Sequence, residues 1–311
     1  MTPEHDAHAA LPSVGREIAW RAAVAAVGLL AAAAFWVTWR VFVTTYEGQL
    51  LDQAALEGAE LGRNRLWLVA EPVLDVISVP FIAAVLVVAV VVALVRRRWL
   101  LAAQVALLIA GANISGQLLK DGLLDRPDLD VGRLPNTLPS GHTVAAASCA
   151  VALVLVVPRR WRALVAVGAA LYAAGTGVST LVGQWHRPSD VIAAVVLVLA
   201  WTCLVRALGP SGSRGTPRDH RRESTAASLL VGAGLVAAAA SALAAQRTLE
   251  ALHAVPYQHR STGLEERADL LTAYAGGTLA VVAATGVVVA LVLLVLRVTE
   301  PGPPRPADDP A

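Results

Sequence analysis

The stretch HRPSDVIAAVVLVLAWTCLVRAL, residues 186–208, poses the fold and the chemistry together. From Val191 to Leu208 it is apolar almost without a break. The five residues before it are polar or turn-forming. About 30 Å of hydrocarbon at about 1.5 Å per helical residue requires about 20 apolar residues. Residues 191–208 therefore read as a helix that crosses a bilayer, with a polar cluster at its mouth. Seven further stretches fit the same requirement, namely Arg21–Val43, Val76–Val95, Trp99–Leu119, Thr143–Val157, Arg162–Val182, Ala226–Ala245 and Leu270–Leu296. The fourth span in chain order, Thr143–Val157, is the shortest. In lipid every backbone polar group needs an internal partner, so these segments are helices. Their Ala, Val and Leu runs lack the dyad alternation of a membrane β-barrel. The fold class expected is all-α, a polytopic membrane helical bundle of about eight spans.

Composition agrees. The chain has 311 residues, of which 56% are hydrophobic and 15% charged. Soluble domains run near 45–50% apolar and about 25% charged, so a soluble enzyme, a disordered chain and a fibrous one are excluded. Cys149 and Cys203 lie in apolar runs and read as small buried hydrophobes rather than a disulfide framework. The first apolar run is too long for a cleaved signal and reads as a retained span.

Arginine placement gives orientation. Arg96–Arg98, Arg159, Arg160 and Arg162, and the set Arg206, Arg214, Arg218, Arg221 and Arg222 fall in alternate loops, which share one side with both termini. That side is expected to be cytoplasmic. The other side carries Glu47, Asp52, Glu57, Glu60 and Glu71, then Glu250, Glu265, Glu266 and Asp269. The expected organisation is an N-terminal cytoplasmic segment (1–20), a six-span core (21–208), a flexible Gly/Ser/Arg-rich linker (209–225), two added spans (226–296) and a disordered Pro-rich tail (297–311). The arginines of the linker read as a topology signal, and no nucleic-acid partner is expected. Ala-, Val- and Arg-heavy usage fits a bacterial plasma membrane.

Polar residues are costly in a membrane and collect where they have partners or work. Two loops hold most of them, KDGLLDRPDLDVGRLPNTLPSGHT (120–143) and STLVGQWHRPSD (179–190). Both face the extracytoplasmic side in this topology, so they can build one site. Lys120 and Arg126 supply positive charge. Pro139-Ser140-Gly141-His142 opens a helix, whose N-terminal amides and dipole favour an anion. His186 and Asp190 are four apart, and a carboxylate on one imidazole nitrogen leaves the other nucleophilic. Cations, an anion nest, two histidines and one carboxylate form a phosphoryl-transfer set. Asp121, Asp125, Asp128 and Asp130 read as solvated carboxylates, and neither a metal nor another cofactor is expected. Asn113, Ser115 and Gln117 either line the cavity or bond neighbouring helices. His253 and His259 sit in the other outer loop without a motif.

This pattern resembles the type 2 phosphatidic acid phosphatase (PAP2) superfamily, whose signature is K-x6-RP, PSGH and SR-x5-H-x3-D. Here it reads Lys120…Arg126-Pro127, Pro139–His142, and Ser179-Thr180…His186…Asp190. The resemblance covers roughly Arg21–Leu208. It implies that His186 is the nucleophile, Asp190 its orienting partner and His142 the general acid. It implies a phosphate cradle of Lys120, Arg126, Ser140 and Gly141. Two departures stand out. Only five residues separate Lys120 from Arg126, and Thr180 occupies the position of a phosphate-binding Arg. Arg187 and Arg133 are the candidate substitutes. The expected activity is metal-independent hydrolysis of a lipid phosphate or polyprenyl (di)phosphate through a phosphohistidine. The alternatives are a lipid-linked phosphotransferase with the same histidines, or a non-catalytic membrane binding protein of that fold. The residues name neither the particular lipid nor an oligomeric state.

Overall fold

The computed structural model describes residues 11–75, 97–209, 216–255 and 260–299, with scattered positions between 76 and 96. Nine helices are described: α1 (Leu11–Thr38), α2 (Tyr46–Glu60), α3 (Arg63–Asp75), α4 (Trp99–Leu118), α5 (Gly141–Val156), α6 (Arg159–Val182), α7 (Pro188–Leu208), α8 (Pro217–Ala254) and α9 (Arg267–Val298). Short π-helical turns, Trp39–Val43 and Leu119–Leu123, extend α1 and α4. Six helices are long and apolar enough to cross a membrane: α1, α4, α6, α7, α8 and α9. The fourth expected segment in chain order is α5, whose 16 residues span about 24 Å. The remaining one, Val76–Val95, lies largely outside the described residues, as do the first ten residues and the tail from 300. The chain is a polytopic helical bundle.

Ala, Val and Leu of α4, α5, α6 and α7 form one continuous core with α1 and the far end of α9. Small residues let helices approach. Trp201 of α7 lies on Gly111 of α4, where an added Cβ would come within 2.5 Å of the ring. The last two helices form a hairpin, and α9 packs on α2, α6 and α7.

Two expectations change. The stretch 209–225, read as a flexible linker, becomes helical at Pro217. The Thr216 hydroxyl accepts from the Asp219 amide at 3.2 Å, and the Asp219 carboxylate accepts from the Thr216 amide at 3.3 Å, closing a capping box. Proline at the first helical position completes this start. The segment after the first span, read as an outer loop of acids, is instead α2 and α3. Thr45 caps α2 by accepting from the Gly48 amide at 3.1 Å. Asp52, Gln49 and Ala54–Leu56 of α2 are buried beneath the loops that carry the candidate site.

Candidate active site

The mouth of α7 is organised around Asp190. Pro188 opens the helix and puts Asp190 in its first turn. Asp190 Oδ2 accepts from the Arg187 amide at 2.8 Å and the Thr137 hydroxyl at 2.6 Å, and faces His186 Nδ1 at 3.3 Å. An ionised carboxylate only accepts, so Nδ1 carries the imidazole proton and Nε2 keeps its lone pair. Both side chains are buried. The turn that presents them is held from α6, because the Thr180 carbonyl accepts from the amides of Trp185 at 3.0 Å and His186 at 3.3 Å.

His186 lines an open cavity of about 380 Å³ with Asn113, Gln117, Lys120, Gly141 and His142. Asn113, Gln117 and Lys120 stand at i, i+4 and i+7, one face of α4 and its π turn. The His142 and His186 rings meet edge-on with centroids 6.5 Å apart, and Trp185 packs 5.3 Å from His142. A Cβ built on Gly141 meets nothing within 4 Å, so this residue is open to space. Ser140 is fully buried and caps α5, its Oγ accepting from the Thr143 amide at 3.3 Å and hydroxyl at 3.0 Å. Its own amide donates to the Asp190 carbonyl at 3.0 Å, which ties the two loops together. Loop residues fifty positions apart are thus joined by main chain.

The cations divide. Lys120 faces the cavity. Arg126 is half-buried, with Nη2 enclosed and without a hydrogen-bond partner. Burial, followed by the Arg187 charge, lowers its guanidinium to about 10, while Asp52 and Asp190 oppose that shift. Neither candidate substitute for the missing Arg lines the cavity. Arg187 is fully buried and turned into the 134–137 loop, donating to the carbonyls of Leu134 at 3.1 Å and Pro135 at 3.3 Å and to the Thr137 hydroxyl at 3.2 Å. Arg133 is exposed and lines a separate cavity with Gln53, Glu57 and Gln184. Thr180, where that Arg would stand, is buried, and its hydroxyl donates to the Gly177 carbonyl at 2.7 Å.

The remaining polar residues sort by contact. Asn113 lines the cavity and also donates to Ser148 at 3.2 Å, whereas Ser115 turns away and accepts from the Trp201 indole at 2.9 Å. Asp121 accepts from Gln117, and Asp128 and Asp130 pair with Arg260. No cluster of three or more metal-ligating side chains occurs among the described residues. His253 is exposed opposite Glu47 at 3.6 Å, and His259 lies outside the described residues.

Three residues of this site carried no signal in the sequence. Thr137 orients Asp190. Asn136 donates to the carbonyls of Lys120 at 3.1 Å and Leu124 at 2.7 Å, closing the loop over the π turn. Asp52 of α2 accepts from the Ser189 amide at 3.2 Å and from its hydroxyl, gripping the first turn of α7 from below. Burial, reinforced by the Asp190 charge, raises the Asp52 carboxyl to about 7.

Residues 101–212, from the first turn of α4 to just beyond the end of α7, match the family model described as the PAP2 superfamily. The match begins some eighty residues later than the resemblance in sequence had placed it, so α1–α3, and with them Asp52, lie outside it. No curated protein and no solved structure matches the chain.

Proposed function

We propose that the protein is an integral-membrane phosphatase that hydrolyses a lipid phosphate or polyprenyl (di)phosphate at the extracytoplasmic face. The observation that carries this reading is the placement of His186, braced by Asp190, across one cavity from His142, with Lys120 on its wall. His186 Nε2 attacks phosphorus as the bond to the lipid oxygen breaks. His142 gives its proton to that oxygen. Water then attacks the phosphohistidine, His142 takes a proton from the water, and the N–P bond breaks to release phosphate. The developing charge meets Lys120, Arg126 and the first amides of α5. Every group that the protein contributes to these steps is a side chain or amide of the chain.

The match to the PAP2 superfamily model and the bundle of apolar helices support this assignment. The cavity reaches along α4 from Lys120 to Asn113, about 10 Å into the bundle, which suits a headgroup whose tail stays in lipid. The arginine-rich loops lie at the other end, as expected if that end is cytoplasmic. The test is phosphate release by purified protein from a panel of lipid phosphates in EDTA. Wild type should turn over at least one of them, and His186→Ala should lose about 10⁴-fold or more. Equal release by the two proteins would overturn the assignment.

A further inference from the structure

The end of the bundle remote from this site carries a second feature, about 36 Å away along the 24 residues of α6. There the first turns of α6 and α8 enclose an open groove of about 680 Å³. Arg160 and Trp161 stand on the α6 side, and Arg218, Arg221 and Arg222 stand on the α8 side. The floor is apolar, with Leu164 and Leu229, which are 66% and 67% exposed. On each helix the polar residues sit one turn beyond the apolar ones, so charge lies at the rim and hydrocarbon below it.

Like charges gathered this way repel unless something holds them, and the fold supplies the clamp. Glu223 is fully buried between Arg159, at 3.0 Å, and Arg162, at 3.3 Å, and so pins α8 to α6. That carboxylate is spent on those two arginines. Arg160, Arg218, Arg221 and Arg222 have no ion pair among the described residues, and no acidic side chain lines the groove. Asp219, beside Arg218 in sequence, is engaged with its own cap, Thr216, and also feels the charge of Arg222.

We infer that this groove binds an anionic membrane phospholipid, with the phosphate among the four guanidinium groups and an acyl chain along Leu164 and Leu229. Guanidinium forks match phosphate oxygens in a bidentate way. Basic pockets between helices at a membrane surface select acidic headgroups, and Trp161 has the amphipathic ring suited to that depth. A zwitterionic lipid brings an ammonium group into the same ring of positive charge and is disfavoured. The inference is independent of the reaction at the other end.

The full-length protein, reconstituted in phosphatidylcholine vesicles, receives equal mole fractions of brominated phosphatidylglycerol or brominated phosphatidylcholine. Trp161 emission is read as the difference between wild type and Trp161→Phe. Brominated phosphatidylglycerol should quench Trp161 at a several-fold lower mole fraction. Each arginine removed in the series Arg218→Gln, Arg221→Gln and Arg222→Gln should weaken this preference by about fivefold until it disappears. The pair Arg97→Gln and Arg98→Gln, at the same end of the bundle but outside the groove, should leave it intact. Equal quenching of wild type by the two lipids would overturn the site, whatever the folding of the arginine variants. An equal loss in the Arg97/Arg98 variant would also overturn it, by showing attraction to the whole basic surface.

Discussion

Glu223 at one end of α6 and Asp52 near the other are both buried carboxylates, yet their surroundings differ. Glu223 lies between two guanidinium groups. Asp52 is met by the neutral amide and hydroxyl of Ser189, and its strongest charged neighbour is another carboxylate, Asp190. A charge with two counter-charges is a staple. A charge with none directly bonded to it, and a like charge nearby, is left close to neutral pH in its titration. The same residue class therefore fastens helices at the basic end and supports the candidate chemistry at the other.

Substitutions can separate these two roles. Asp190→Asn should replace the purely accepting carboxylate that fixes the His186 tautomer with an amide that can also donate, lowering kcat by about 10³- to 10⁴-fold while thermal unfolding changes little. A large stability loss with normal turnover would reverse the roles assigned to the two ends. Glu223→Gln should do the opposite, because it removes the buried charge that pairs with Arg159 and Arg162. About 3–5 kcal/mol of stability should be lost, measured by thermal unfolding in detergent, with turnover per folded molecule unchanged. Gly277→Ala tests how α9 supports the site. The new Cβ would lie 2.6 Å from Pro188 Cγ and 3.0 Å from Ala55. Overpacking of this kind costs about 1–3 kcal/mol, and the push on the first turn of α7 should lower kcat more than it raises KM.

Asp52→Asn should lower kcat by only about tenfold, roughly the cost of a weakened hydrogen bond, and should change the pH dependence. The folded chain keeps a proton on Asp52 between about 3.8 and about 7 that the unfolded chain has released. The stabilising contribution of this group is therefore full below the unfolded value and is lost as pH rises through about 7. Wild type should lose thermal stability relative to Asp52→Asn as pH rises from about 3.8 to about 7, and no further above that. Its activity relative to the variant should fall as pH rises through about 7, as a second negative charge appears beside the candidate site. Parallel profiles for the two proteins would remove Asp52 from the positioning machinery. The smallest effect belongs to Arg260→Ala, at an exposed junction with Asp128 and Asp130. There the loss should be about 0–1 kcal/mol by thermal unfolding.

Much of this arrangement was legible in the residues. The apolar runs anticipated helices that the structure contains, because segment length and hydropathy are local properties that lipid enforces directly. Lys120, His142 and His186 come to one cavity from loops that the topology puts on one face. The spacing of His186 and Asp190 anticipated their contact, since four residues around a helix start leave little freedom. Arg187 and Arg133 were harder. Their charge is visible in the sequence, but their direction depends on which neighbours satisfy it. The carbonyls of Leu134 and Pro135 took Arg187 inward, and Arg133 faces another cavity.

The amino-acid order alone was enough for a helical membrane bundle, for the histidines and carboxylate of the candidate site, and for the placement of positive charge in alternate loops. These follow from local length, spacing and composition. Only the packed chain placed α2 beneath α7, with Asp52 on Ser189 and Glu223 between its arginines. Those pairings join residues 137, 64 and 61 positions apart. No local pattern encodes them, because a buried polar group takes whichever partner the neighbouring helix brings within reach.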